Sequence, residues 1–233
     1  MSDKEKEAEH SQSARKKQQK ERRKKTKEKA RDKVLVVDLE CSCWRGRPPE
    51  GQRQEIIEIG ICMLDVQTRE ITNKQGILVK NHESEISKFC TQLTSITQEM
   101  IDKEGVEFDE ACKILKTYYN STKRVWFSWG NFDRTQLVKD CLHRGVEYPM
   151  SDYHFNAKTL YGLKYKMKRE PGVQSALKHA EMEFEGTHHR GVDDAINIAR
   201  LLERVFDGPS DVNDLRMGVV EGEARKPANK RKS

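Results

Sequence analysis

The 233-residue chain has no apolar run long enough to form a signal-peptide core or to cross a bilayer, which takes about 20 consecutive apolar residues. That absence leads to the expectation of an intracellular, cytoplasmic protein with no membrane partner. A Lys/Arg-rich start such as Arg22-Arg23-Lys24-Lys25 would serve as a nuclear address if the source is a eukaryote. C-x-x-C spacing is also missing. The six cysteines, at 41, 43, 62, 90, 112 and 141, have no matching histidine pair, which argues against zinc and fits reduced, mostly buried thiols. There is no internal repeat.

Apolar residues are scarce at the start as well. From Met1 to Lys33 only alanines and the initiator methionine are apolar, and fourteen Lys/Arg stand against seven Asp/Glu. Such a segment has no face to bury, so 1–33 is expected to be a basic low-complexity tail, disordered or a lone solvated helix. The 208–233 stretch is a second polar tail, with six basic residues against four acidic. Between them, 34–207 is of a size that suits one α/β domain. The positive charge thus collects in the tails, where it either attracts a polyanion or only solubilises the chain.

What is present is a set of acids at the ends of apolar runs. Val34-Leu35-Val36-Val37 reads as a strand buried on both faces and is followed by Asp38 and Glu40. Strand alternation sends these two side chains to one side and Leu39 to the other. Two anions meeting at one spot favour a proton or a divalent metal between them. A D-x-E pair is equally compatible with a solvated strand end.

A second acid heads a helix. Val192 to Phe206 has helical periodicity, and Ile198, Leu201, Leu202 and Val205 follow Asp194 at offsets of one apolar stripe. Asp193 heads another line through Asn197, Arg200 and Arg204, which is expected to be solvated. Asp194 therefore faces inward, where a carboxylate needs a metal, a hydrogen-bond network or a cation. His189 is expected in the preceding loop, turned by Gly191, where it can serve as a general base near neutral pH, with His188 as the competing candidate.

The middle segment repeats the pattern. Val125 to Trp129 is strand-like, Gly130-Asn131 closes it, and a helix is expected over 132–143 with Asp133 in its first turn and Leu137 and Cys141 on the same stripe. Asp38, Glu40, Asp133 and Asp194 together describe four oxygen ligands suited to Mg²⁺ or Mn²⁺. Further strands are expected over Glu55–Leu64 and Gln75–Val79, and helices over Gln98–Ile101 and Phe108–Tyr119. This describes a mixed sheet flanked by helices, with the acids at one end of it.

The chain resembles the DEDDh superfamily of 3′-5′ exonucleases, which carries the ribonuclease-H-like fold. The resemblance rests on Val36-Val37-Asp38-Leu39-Glu40, Glu55 to Gly60, Phe89 to Thr97, Trp129 to Asp133 and His188 to Asp194. The Phe-Cys-x-x-Leu-Thr-x-Ile-Thr and His-His-x-Gly-x-Asp-Asp stretches are most similar to Eri-like exoribonucleases and their bacterial relatives. Five motifs in order, spanning about Val34 to Phe206, make the match specific. It implies that Asp38, Glu40, Asp133 and Asp194 hold two metals, and that His189, by its spacing to Asp194, is the base rather than His188. It also implies a substrate wall of Phe89, Leu39, Leu93, Phe132 and Trp129, with Phe89 stacking on the terminal base. Cys41-Ser42-Cys43-Trp44 departs from the Ala-Thr-Cys run of many relatives.

The expected activity is therefore hydrolysis of single-stranded RNA, or of RNA 3′ overhangs, to nucleoside 5′-monophosphates. DNA is the alternative substrate, since no residue is assigned to the 2′-hydroxyl. A non-catalytic nucleic-acid-binding protein is the other alternative. Oligomeric state is not legible.

Overall fold

The computed structural model describes residues 32–207. The expectations for the basic N-terminal and polar C-terminal tails lie outside the described residues, apart from Asp32 and Lys33. Five strands form one mixed sheet in the order β3-β2-β1-β4-β5. These are β1 (Lys33–Cys41), β2 (Ile56–Asp65), β3 (Ile71–Leu78), β4 (Trp126–Ser128) and β5 (His154–Asn156). The first three pair antiparallel, and β1, β4 and β5 run parallel. The helices are α1 (Lys88–Thr94), α2 (Gln98–Glu104), α3 (Phe108–Thr117), α4 (Phe132–Arg144), α5 (Ala157–Lys164), α6 (Val173–His179) and α7 (Gly191–Phe206).

The central strand is buried on both faces, as its unbroken aliphatic run requires. Leu35, Val37 and Leu39 pack toward Phe108, Ala111 and Leu115 of α3 and Leu137 of α4. Val34 and Val36 pack toward Ala195, Ile198, Ala199 and Leu202 of α7. Alternation then carries Asp38 and Glu40 onto the α7 side. Five cysteines are buried and Cys43 partly so, and all six are free thiols. Among the described residues no helix is long and apolar enough to cross a membrane.

Two expectations need correction, and four elements go beyond those expected. Strand β3 begins at Ile71 rather than Gln75, because its first half is a solvent-facing edge that carries no apolar alternation. The helices α1, α5 and α6 and the three-residue β5 have no counterpart among the expected elements. Finally, Asn197 is not on a solvated face. It is fully buried, because the loop after α6 folds over that side of α7. Its amide donates to the carbonyls of Glu185 and Asp193, both at 2.8 Å, and its Oδ1 accepts from the Glu185 N–H at 3.1 Å. Asn197→Ala should therefore cost about 1–3 kcal/mol, the penalty of orphaning buried polar groups, as read by chemical denaturation. A loss below about 0.5 kcal/mol, usual for an exposed site, would restore the solvated assignment.

Candidate active site

The site is assembled from β1, the first turn of α4 and the entry to α7. Asp38, Glu40 and Asp194 each offer a carboxylate oxygen, and these oxygens lie within 4.8 Å of one another. Asp133 joins through the backbone: its Oδ1 accepts the Leu39 N–H at 3.0 Å. The residue between the two β1 acids thus anchors the acid of α4. Asp133 and Asp194 are both 5 % exposed.

The approach of α7 to the sheet depends on glycine. Gly60 pairs with Asp38 across β1 and β2, and a Cβ there would lie 1.8 Å from the carbonyl carbon of Gly191. At Gly191, the first residue of α7, a Cβ would likewise stand 3.0 Å from the Asp38 carbonyl oxygen and 3.0 Å from the Gly60 nitrogen. Two residues before Gly60, Glu58 is fully buried and pairs with Glu40 in the strand register. Its carboxylate accepts the Gly191 N–H at 2.9 Å and two guanidinium bonds from Arg190 at 3.3 Å. Glu58 therefore clasps the loop that carries the histidines. Glu58 lies in the Glu55 to Gly60 motif, which by itself assigns it no role. An ionisable side chain between Ile57 and Ile59, in a strand buried throughout, was the available signal.

His189 occupies the left-handed region, with φ of 64°, in the loop expected for it. Its N–H donates to Asp194 Oδ2 at 2.7 Å, and its Nδ1 stands 3.9 Å from Glu40 Oε1. His188 is also drawn in, with Nε2 at 3.8 Å from Asp194 Oδ1 and its ring against Phe184. The two imidazoles meet at 3.9 Å between centroids. Burial holds both below their ordinary value, His189 further through His188, so both favour the neutral, proton-accepting form.

The carboxylates move the other way. Burial, then Asp194, Glu58 and Asp133, pushes Glu40 up to about 8. Burial raises Asp194 to about 7 against the His189 N–H bond, and Asp133 to about 6 against the Leu39 bond. Asp38 keeps some solvent-exposed surface, yet the desolvation of its carboxyl and the surrounding acids hold it well above the carboxylate range. These groups are raised in the folded state relative to the unfolded one. The stability they contribute is complete below about pH 4 and is lost as pH climbs through the 6–8 window. Thermal melts without divalent metal should therefore show a falling midpoint from pH 5 to pH 8.5. Added Mg²⁺ should recover more at pH 8 than at pH 6, and a flat profile with no metal effect would remove the electrostatic conflict.

The substrate-wall residues divide. Phe89, in the first turn of α1, is partly exposed, Leu93 is 37 % and Phe132 is 50 % exposed. Phe132 is carried beside Asp133 at the start of α4. Leu39 is a core residue that touches the site through its main chain. Trp129 is committed elsewhere: its indole donates to the Pro171 carbonyl at 2.9 Å and its ring packs against Tyr161 of α5.

An all-oxygen, strongly anionic donor set fits hard divalent cations. Such a set, gathered at the strand and helix ends of a mixed sheet flanked by helices, defines a ribonuclease-H-like nuclease fold. The exonuclease family (RNase T) matches residues 35–202, and the chain belongs to this family, within its DEDDh, Eri-like branch. Human 3′-5′ exoribonuclease 1 is 29 % identical over 184 residues, covering 75 % of this chain and 52 % of that protein. The chain thus spans about half the length of that relative. The 3′-5′ exonuclease Snipper of Drosophila melanogaster is 28 % identical over 201 residues, covering 75 % of this chain and 70 % of its own. The nuclease domain of 3′hExo, a DEDDh family member solved bound to rAMP, superposes with a TM-score of 0.67 at 29 % identity, covering 74 % of this chain and 90 % of that one. Pop2p of S. pombe, solved with Mg²⁺ and Mn²⁺, shares the fold at a TM-score of 0.60 and 16 % identity, over 77 % of this chain and 86 % of its own.

Proposed function

We propose that this protein is a divalent-metal-dependent 3′-5′ exonuclease that removes nucleoside 5′-monophosphates from single-stranded RNA ends or short RNA 3′ overhangs. The observation that carries this reading is the convergence of Asp38, Glu40 and Asp194 within 4.8 Å, with His189 beside Glu40. In this reading Asp38, Glu40, Asp133 and Asp194 hold two ions, Mg²⁺ or Mn²⁺. When bound, such ions supply an activated water and charge neutralisation at phosphorus. His189 takes the proton of the attacking water at Nδ1, the ring nitrogen turned toward Glu40, as the 3′ oxygen leaves. The main-chain N–H of His189 fixes the Asp194 carboxylate beside the loop that carries the ring, and the Leu39 N–H fixes the orientation of Asp133. Phe89 and Phe132 offer faces for base stacking, which tolerates any base. RNA is favoured over DNA by the kinship with exoribonucleases, one of them captured with a ribonucleotide.

The test uses 5′-labelled RNA and DNA of matched sequence with Mg²⁺, Mn²⁺ or EDTA, resolved at single-nucleotide steps. A metal-dependent ladder that shortens from the 3′ end faster on RNA, lost in His189→Ala and retained in His188→Ala, is expected. A ladder only on DNA would reassign the substrate, and none in either metal would leave a binding protein on a nuclease fold.

A further inference from the structure

The chain leaving β1 after Glu40 is tied down on two sides. Ser42 N–H donates to the Glu55 carbonyl at 2.8 Å, and the Glu55 N–H returns to Ser42 Oγ at 2.9 Å. On the other side Ser87, the N-cap of α1, donates its hydroxyl to the Cys43 carbonyl at 2.6 Å and accepts the Cys90 N–H at 3.0 Å. Cys90 Sγ donates to the Cys41 carbonyl at 3.6 Å. The start of α1 is therefore locked to Cys41 and Cys43, and Ser42 between them to Glu55. Beyond the lock, Gly46 turns the chain at φ of 121°, a conformation open to glycine, with its N–H on the Trp44 carbonyl at 2.9 Å.

This arrangement sets the exposed Arg45 over Phe89, with the guanidinium carbon 5.7 Å from the ring centroid. Arg47, on the far side of the Gly46 turn, is exposed as well. Among the described residues neither forms an ion pair with a carboxylate. Both lie within seven residues of Glu40. The four acids repel every phosphate except one screened by metal, so a strand that continues past its last nucleotide needs a cation outside the quartet. A guanidinium can stack on an aromatic face and still direct its N–H edge at phosphate oxygens, which an ammonium cannot do.

We infer that Arg45, braced on Phe89, binds a backbone phosphodiester of the strand upstream of its terminal nucleotide, with Arg47 as a second cation along the same path. The site is one for the body of a polynucleotide and is idle with a mononucleotide. It rests on the exonuclease reading of the acidic cluster, and it makes the enzyme prefer a strand of several nucleotides to a short remnant.

The full-length protein is compared with Arg45→Ala and Arg45→Lys on a 5′-labelled RNA 12-mer and on the p-nitrophenyl ester of uridine 5′-monophosphate. In Arg45→Ala the KM for the 12-mer should rise about tenfold, the scale of one lost charge-assisted hydrogen bond, while kcat at saturation and turnover of the ester are kept. The dependence of log KM on log salt should become shallower by about 0.7, the release expected for one single-strand phosphate contact. Arg45→Lys should regain the salt slope and only part of the KM. The same difference should appear as 12-mer affinity, read by fluorescence anisotropy with Ca²⁺ in place of Mg²⁺. Unchanged affinity and salt slope in Arg45→Ala would overturn the inference, as would an equal loss on the ester. Failure of the exonuclease reading is separately visible, as absence of cleavage by the unmodified protein in Mg²⁺ while the anisotropy difference stands.

Discussion

Asp38→Asn should abolish the proposed hydrolysis and at the same time raise the melting point of the metal-free protein. Both effects come from one carboxylate. Asp38 sits where burial and the charges of Asp133, Asp194, Glu40 and Glu58 all oppose its ionisation, so the neutral amide removes a conflict that the folded chain otherwise carries above neutral pH. The gain at pH 8 should be several degrees, at about 2–4 °C per kcal/mol for a chain of this size. It should shrink toward pH 4, where the carboxyl is protonated in any case. The rate loss should be at least about a thousandfold, the upper range for deleting one electrostatic stabiliser, with kcat falling and RNA affinity in EDTA maintained. Hydrolysis at the unmodified rate would take Asp38 out of the site. Loss of activity with a lowered melting point at pH 8 would mean that the residue is structural.

The second large effect is steric. In Gly60→Ala the new methyl meets the Gly191 carbonyl carbon, its oxygen and the Val192 nitrogen, all main-chain atoms inside 2.4 Å, so no side chain can move aside to admit it. Either β2 bends or the start of α7 lifts off the sheet. Overpacking of a flexible core costs about 1–3 kcal/mol, and a clash with main chain on both sides should lie at or above the top of that range. Any folded remainder should be nearly inactive, because lifting α7 carries His189 and Asp194 away from β1 together. Gly172→Ala is the control. A Cβ there meets nothing within 4 Å, and the change should cost no more than about 1 kcal/mol, the loss of a glycine N-cap at α6. Equal melting points for the two variants would refute the packing account.

The site was largely legible because its acids break the patterns they belong to. Asp38 and Glu40 close a strand that is otherwise aliphatic, and Asp133 and Asp194 head stripes whose later members are Leu137, Ile198 and Leu202. Periodicity relates a residue to the face of its own element and to nothing else. It therefore placed Asp194 correctly toward the sheet and misplaced Asn197, whose cover is a loop with no period of its own. Glu58 illustrates the same limit from the other side. Its partners Arg190 and Gly191 lie more than 130 residues away, and only tertiary contact reveals that a strand acid and a loop arginine neutralise each other. Trp129 was assigned by resemblance alone, and the bond of its indole to Pro171 could not be read from a motif.

One consequence follows from the alternation of β1, where odd positions fill the core toward α3 and α4 while even positions carry the acids toward α7. A slip of one residue against β2 would turn Asp38 and Glu40 into the layer beneath α3 and α4 and bring Leu35, Val37 and Leu39 to the α7 side in their stead. Packing and chemistry thus share a single parity. A chain that has paired these two strands one residue out of register therefore loses the carboxylate cluster together with the packing of its central strand.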